Sequence, residues 1–406
     1  MAAKNRVRGG FLRLLTVSLA LLGTSALGQA PPRARDLGVP FEGTPGRYNA
    51  ITDVKGVEVG YTTLISGSGK LVVGQGPVRT GVTAILPRGK SFKDPVFAGF
   101  FSQNGNGEMT GIHWVKESGF LEGPIMITNT HSVGVVRDAV IAWEVKHGAT
   151  QYPWSLPVVA ETWDGWLNDI NGFHVKPADT WHAIETAASG PVAEGNVGGG
   201  TGMVCFGFKG GTGTASRVLP ASEGGYTVGV LVQCNTGSRR ELRIGGVAVG
   251  KHVQFPEPYA QLGGPRNADT GSIIIVIATD APLTSSELDR LCKRATLGLG
   301  RVGGTSGDGS GDLFVSFSTA NPGADPAREK APKTPAGATA PVTIQMLPNW
   351  SMDPLFNATI EATEEAIINA MVGARTMTGI DNHTVYALPR GVLKQLMHEK
   401  HAPAAW

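Results

Sequence analysis

A mixed α/β fold is predicted by three features of the sequence. Short apolar runs such as "SIIIVIATDAPL" (272–283) and "GYTVGVLVQCN" (225–235) have the length and β-branched content of buried strands. Two stretches, 284–304 and 353–379, carry apolar residues at helical spacing instead. Glycine accounts for 57 of 406 residues and charged residues for only 17%. Typical values are about 7% glycine and about 25% charged, so the chain is compact, with many tight turns. No Gly-X-Y period is present, which excludes collagen.

The elements follow in order. Lys4, Arg6 and Arg8 form a positive head before "FLRLLTVSLALLGTSALG", and Ala26 and Gly28 are small residues where a signal peptidase would cut. Residues 1–28 therefore read as a secretory signal, and the mature chain as secreted or periplasmic. Residues 29–46 are Pro-rich and read as a loose arm. "YNAITDVKGVEVGYTTL" opens the fold with short alternating segments, and "RTGVTAILPRG" repeats that character. "GPIMITNT", "YPWSLPVVAET" and "GGGTGMVCFGFKGGTGTASRVL" read as strands. Thr284 and Glu287 have the spacing of a capping box; Leu288, Leu291 and Ala295 follow at helical intervals, with Gly298 or Gly300 as the stop. "DLFVSFSTAN" is a further strand, and 322–341, rich in Pro, Ala and Lys, a mobile surface loop. In the last long helix Leu355, Ile360, Ile367, Ile368 and Met371 line one face, and Gly373 or Gly379 ends it.

Composition excludes several functions. A formal net charge of +2 gives no basis for binding nucleic acid or an anionic membrane. No G-x-S-x-G occurs. "AILPRGKS" has Ala84 where a phosphate loop needs glycine, and "HEKH" (398–401) is one residue short of the zinc-protease pattern. "DGSGD" (308–312) lacks the glycine and the closing acid of a calcium loop, so no metal site is read. Cys205, Cys234 and Cys292 are odd in number and sit in apolar or helical patterns. They read as buried thiols, with a Cys205–Cys234 bridge left open.

The Gly271-Ser272 pair directly before Ile273–Ile277 is either a turn or a reactive site. A serine hydroxyl needs a base, and no Ser-His-Asp spacing supplies one. Cutting the peptide bond before Ser272 would supply it: the new α-amine, ordinarily of pKa about 7.7–8.0, lies beside its own hydroxyl. Glycine at 271 has no Cβ to obstruct attack on its carbonyl.

Further segments carry a family resemblance: "ITDVKGVEVGYTT" (51–63), "NGNGEMTG" (104–111), "ETWDGWLND" (161–169), "GNVGGGTGM" (195–203), "KGGTGTASR" (209–217) and "GDGSGDLFVSFSTAN" (307–321). With "GSIIIVIATDAPL" (271–283), in this order, they resemble the L-aminopeptidase/D-amidase-esterases and β-peptidyl aminopeptidases, which are self-cleaving N-terminal-nucleophile hydrolases. The resemblance implies a four-layer αββα sandwich with two stacked sheets flanked by helices. It implies one domain over 29–406, cut into an α chain of 29–271 and a β chain of 272–406.

By the same resemblance Ser272 is the nucleophile, and Gly271–Ser272 the bond that cuts itself. Ser310 hydrogen-bonds the nucleophile and its new amine, and Asp312 orients that network. Asn235 stabilises the oxyanion, and Glu161 binds the substrate's ammonium. Trp163 stands where some members carry tyrosine and supplies no phenol. Taken singly, each of these has a structural alternative as a turn, strand-end or ion-pair residue. The implied substrates are short peptides, amides or esters with a free amino end; the preference for L-, D- or β-residues stays open. The implied enzyme needs no cofactor and assembles as a homo-oligomer, commonly a tetramer. Two rival readings are an aminoacyl transferase on the same scaffold and a non-catalytic exported binding protein.

Overall fold

The computed structural model describes residues 1–2, 32–150, 152–253, 255–259 and 271–401. The signal-sequence reading rests on residues outside this set. From Pro32 the described residues form one compact unit. Strands β1 (Glu58–Ser66), β2 (Val78–Lys90) and β3 (Val96–Ser102) precede helix α1 (Ile112–Ser118). Strands β4 (Phe120–Leu121) and β5 (Ile125–Asn129) lead to α2 (Val133–His147), β6 (Val158–Thr162) and α3 (Pro177–Glu185). A short hairpin, β7 (Val204–Cys205) and β8 (Phe208–Lys209), precedes β9 (Gly211–Val218) and β10 (Thr227–Asn235). Then come α4 (Val249–His252), β11 (Ser272–Thr279), α5 (Ser285–Val302), β12 (Leu313–Ser318) and α6 (Asp353–Gly373). Strands β13 (Met377–Thr378) and β14 (Thr384–Val385) and helix α7 (Arg390–His401) complete the described chain. Among the described residues no helix is long and apolar enough to cross a membrane.

The main strands form two sheets, ordered β1-β2-β5-β6 and β4-β3-β12-β11-β10-β9. Strand β11 runs antiparallel to β10 and parallel to β12. Its alternate residues part to two sides. Ile273, Ile275 and Ile277 pack with Leu288 and Leu291 of α5 and Ile367 of α6. Ile274, Val276 and Ala278 pack with Val59, Ile85 and Ile127 of the other sheet. Burial on both faces is why this strand is an unbroken apolar run and not an alternating one. The outer face of the smaller sheet, with Val82, Ala84 and Met126, meets Val136 and Val140 of α2 and Ala183 and Ile184 of α3. The layers are therefore helix, sheet, sheet, helix, as the αββα expectation has it.

This packing positions the ends of β10 and β11. Each buried isoleucine contributes about 1.5–3 kcal/mol, so β11 is firmly held. Side chains alternate along a strand, which places Ser272 on the side of Ile274, between the sheets. Asn235 likewise falls on the side of Leu231, which also belongs to the inter-sheet core. Gln233, two residues before it, ties the layers together: its Nε2 donates to Thr128 O and to Thr162 Oγ1, each at 2.9 Å.

Several sequence expectations need correction. The arm at 29–46 is not loose from Pro32 on: Ala34, Leu37 and Val39 are buried in the main core, and Arg33 pairs with Glu194 at 2.8 Å. The capping box at Thr284 and Glu287 is present, but α5 runs past Gly298 and Gly300 and stops at Gly303, which has φ +99°. Gly298 serves a close approach of helices, since a Cβ there would lie 2.6 Å from Ile360 O. Helix α6 ends at Gly373, one of the two stops foreseen, and is buried nearly all round. The 322–341 segment does run along the surface.

Candidate active site

Ser272 is the first residue of β11 and only 8% exposed. It pairs in register with Asn235, the last residue of β10. Its Oγ accepts the N–H of Gly311 at 3.0 Å. Gly271 is tightly confined, because a Cβ there would lie 1.9 Å from Asn235 O. Glycine is thus required before the serine, for closeness to the neighbouring backbone.

The parallel pairing of β11 with β12 brings the 307–312 loop to the head of β11. Ser310 and Asp312 are fully buried there. Ser310 Oγ donates to Asp312 Oδ1 at 2.6 Å, and the N–H of Ile273 donates to the same oxygen at 3.1 Å. Here Ser310 reaches Asp312, and the group on the Ser272 hydroxyl is the Gly311 amide between them.

The sequence reading assigned no role to the residues that hold this loop. Asn104 Oδ1 accepts the Asp312 N–H at 2.7 Å, and its Nδ2 donates to Gly307 O at 2.9 Å. Asn106 Nδ2 donates to Gly309 O at 2.9 Å. The available signal was the pair of asparagines in "NGNG", a residue type suited to holding loop backbone from both ends of its amide.

Asn235 is 4% exposed. Its Oδ1 accepts the Val204 N–H at 2.7 Å, and its Nδ2 donates to the carbonyl of Trp163 at 3.0 Å. An amide nitrogen carries two N–H groups, and Trp163 takes one of them. Beside this contact Cys205 and Cys234 form a disulfide with a Cα–Cα distance of 5.6 Å. The reading of buried thiols is corrected for these two, because only the fold brings the β7 hairpin against β10. Cys292 is a buried free thiol, and burial pushes it up to about 12.

Glu161, near the end of β6, is 4% exposed. Its Oε1 accepts the Glu108 N–H at 2.9 Å and its Oε2 the Thr130 hydroxyl at 2.5 Å. Burial raises its pKa, and these two hydrogen bonds oppose the rise. Gly107 separates it from the 307–312 loop: a Cβ there would sit 3.1 Å from Gly311 Cα and 3.4 Å from Glu161 Oε1. The Trp163 side chain is exposed and lies over Gly165. Ser272 thus pairs with Asn235 and is hydrogen-bonded to the loop that carries Ser310 and Asp312; Glu161 adjoins that loop across Gly107, and the Trp163 backbone holds the Asn235 amide. The cluster combines a buried hydroxyl, an amide donor on that hydroxyl, a hydrogen-bonded carboxylate and an oriented side-chain amide. Those are the parts that acyl transfer to a serine uses.

Known proteins are similar to this chain in sequence and fold. Residues 49–385 match the family described as Peptidase family S58. β-Peptidyl aminopeptidase BapA of Sphingosinicella microcystinivorans is 52% identical over 97% of this chain and 99% of that protein. BapA of Sphingosinicella xenopeptidilytica is 47% identical over 98% of each. Among solved structures, the L-aminopeptidase D-Ala-esterase/amidase of Ochrobactrum anthropi is described as a prototype for the serine aminopeptidases and a variant of the N-terminal-nucleophile hydrolase fold. It matches with a TM-score of 0.81 and 45% identity, over 91% of this chain and 99% of that one. The chain belongs to peptidase family S58 and is an aminopeptidase on the N-terminal-nucleophile hydrolase fold.

Proposed function

We propose that Ser272 is the nucleophile and that the chain cuts itself after Gly271. The observation that carries this is the Gly311 N–H on the Ser272 hydroxyl at 3.0 Å, donated from between Ser310 and Asp312. In maturation Ser272 Oγ attacks the Gly271 carbonyl carbon. The C–N bond breaks, leaving an ester on Oγ and a free α-amine on Ser272. Water then hydrolyses the ester. The products are an α chain of 29–271, once a signal at 1–28 is removed, and a β chain of 272–406.

In turnover the new α-amine takes the proton of Ser272 Oγ as the hydroxyl attacks the substrate carbonyl. It passes that proton to the leaving amine, and water releases the acyl group. Asp312 and Ser310 hold the amine in both protonation states. The second N–H of Asn235 faces the developing oxyanion, a donor typically worth about 10²–10³ in turnover. Glu161 receives the substrate's ammonium, which restricts cleavage to free N-termini, and Trp163 flanks the entry. Peptides and amides are the substrates. The two Sphingosinicella relatives support N-terminal β-amino acids as the preferred residues. The leader-like 1–28 segment supports export, and family resemblance supports a homo-oligomer.

The test is the intact mass of the mature protein under denaturing conditions, with turnover of a β-amino acyl and an α-amino acyl p-nitroanilide measured alongside. Two chains, one beginning at Ser272, and faster release from the β-amino acyl substrate are expected. A single uncut chain that still turns over would overturn the self-cleavage reading; equal rates would remove the β preference.

A further inference from the structure

We infer that the Cys205–Cys234 disulfide positions Asn235, so that self-cleavage and turnover both depend on its being oxidised. This rests on the reading of Asn235 as the oxyanion donor. The sequence places each half-cystine beside one end of a single hydrogen bond. Val204 precedes Cys205, Asn235 follows Cys234, and the Val204 N–H donates to Asn235 Oδ1 at 2.7 Å. One residue further along, the Phe206 N–H donates to Thr236 O at 2.7 Å. The disulfide is thus the covalent member of a three-point tie between the β7 hairpin and the end of β10.

The two sides of that tie are unequally held. Strand β10 is paired along its length with β9 and β11. The β7–β8 hairpin has two residues in each strand, and a two-stranded hairpin is marginal by itself. Non-covalent support comes from the buried Phe206 and Phe208, from Arg239, which donates to Gly207 O, and from Lys209, whose N–H donates to Tyr386 O at 2.7 Å and whose Nζ donates to Met203 O and Gly210 O, each at 2.8 Å. The covalent hold on the Val204 amide is the disulfide.

The Val204 N–H on Oδ1 and the Trp163 carbonyl on Nδ2 together fix the orientation of the Asn235 amide. An asparagine side chain presents an acceptor on one side and a donor on the other, in nearly the same shape. With the Val204 amide withdrawn, Asn235 keeps only the Trp163 carbonyl at 3.0 Å to orient it, and its remaining N–H is no longer held on the developing negative charge. A displacement of about 1 Å at a catalytic contact can cost about 10²-fold. Both half-cystines are fully buried in the core that packs on the helices, on the opposite face of the sheet from Ser272. The disulfide therefore acts through Asn235 and touches no substrate.

The experiment is a double-mutant cycle on the full chain, with Cys205→Ala/Cys234→Ala made in the wild type and in Asn235→Ala. In the wild type, loss of the disulfide should lower kcat about 10-fold or more with KM within about 3-fold. In Asn235→Ala it should change kcat less than about 2-fold, since the group it positions is gone. Where Asn235→Ala fails to mature, the same cycle is read on the self-cleavage half-time of purified precursor. If the double variant does not fold, the comparison is made by reducing the folded parent proteins with a phosphine and counting three labelled thiols by mass. Unchanged kcat without the disulfide, or the same loss in both backgrounds, would overturn the inference and leave Asn235 as donor. Unchanged kcat in Asn235→Ala alone would instead overturn the reading on which the inference rests.

Discussion

Ser310 donates its hydroxyl proton to Oδ1 of Asp312 at 2.6 Å, the oxygen that also receives the N–H of Ile273 at 3.1 Å. Two segments about forty residues apart therefore converge on one carboxylate oxygen, and Ser272 is the residue next to the point of convergence. In the proposed mechanism the same carboxylate faces the amine that appears when the chain is cut.

Replacing that carboxylate by an amide keeps its shape and removes its charge. Asp312→Asn is expected to fold and to lose about 10²-fold or more in kcat, the usual size of a proton-transfer contribution. Steady-state turnover together with a circular dichroism spectrum checks this. Wild-type turnover would take Asp312 out of the chemistry.

Asn104 holds the loop that holds Ser272, through the Asp312 N–H and Gly307 O. Asn104→Ala leaves a donor and an acceptor without this partner, at a cost of about 1–3 kcal/mol for each buried group. Self-cleavage should slow about 10-fold, because 1.4 kcal/mol in the barrier is already a factor of ten. The half-time for conversion of one chain into two measures it; no slowing would reduce Asn104 to a loop residue without bearing on the site.

Burial raises the Glu161 carboxyl above the ordinary glutamate range. On acidification it therefore takes up a proton at a higher pH than an exposed glutamate and loses its hold on an ammonium. KM for substrates with a free amine should rise as pH falls through that raised value. In Glu161→Gln, KM should be high and flat over the same range, and discrimination against blocked N-termini weaker. Parallel KM–pH curves for the two proteins would argue against an ammonium site.

Glu144 on α2 offers a test that concerns stability and not activity. Burial pushes its carboxyl up to about 6; a hydrogen bond from Ser155 opposes the shift and the Glu122 charge adds to it. The folded state then keeps its proton at pH values where the unfolded state has released it. The resulting stability is complete below the unfolded value of about 4.3 and is lost as pH rises through about 6. Glu144→Gln lacks this dependence, so relative to wild type it should gain on the order of 1–2 kcal/mol between about pH 4 and about pH 7. Denaturant midpoints at the two pH values decide it, and an unchanged difference would show that Glu144 keeps its ordinary affinity for protons.

Much of this was legible in the chain. The β11 run, the α5 capping box and the end of α6 at Gly373 follow local rules that the fold respects. Helix α2 was not legible, because Val133, Val135, Val136, Val140 and Ile141 have the β-branched character of a strand and become helical by packing on the smaller sheet. Nor was the end of α5: Gly298 resembles a stop, but its lack of a side chain serves contact with α6. The Pro-rich arm looked loose because a few scattered apolar residues, Ala34, Leu37, Val39 and Phe41, anchor it.

By itself the sequence determined that Ser272 stands at the head of a rigid buried strand behind a glycine, and, through resemblance, which residues belong with it. Only the tertiary structure decided how they meet. It set the Gly311 amide on the Ser272 hydroxyl, gave Asp312 to Ser310 and Ile273, and joined Cys205 to Cys234 beside Asn235. Periodicity and caps are properties of neighbours along the chain, so a single sequence displays them. Hydrogen bonds and a disulfide between distant segments depend on strand register and sheet stacking, which the whole core selects at once.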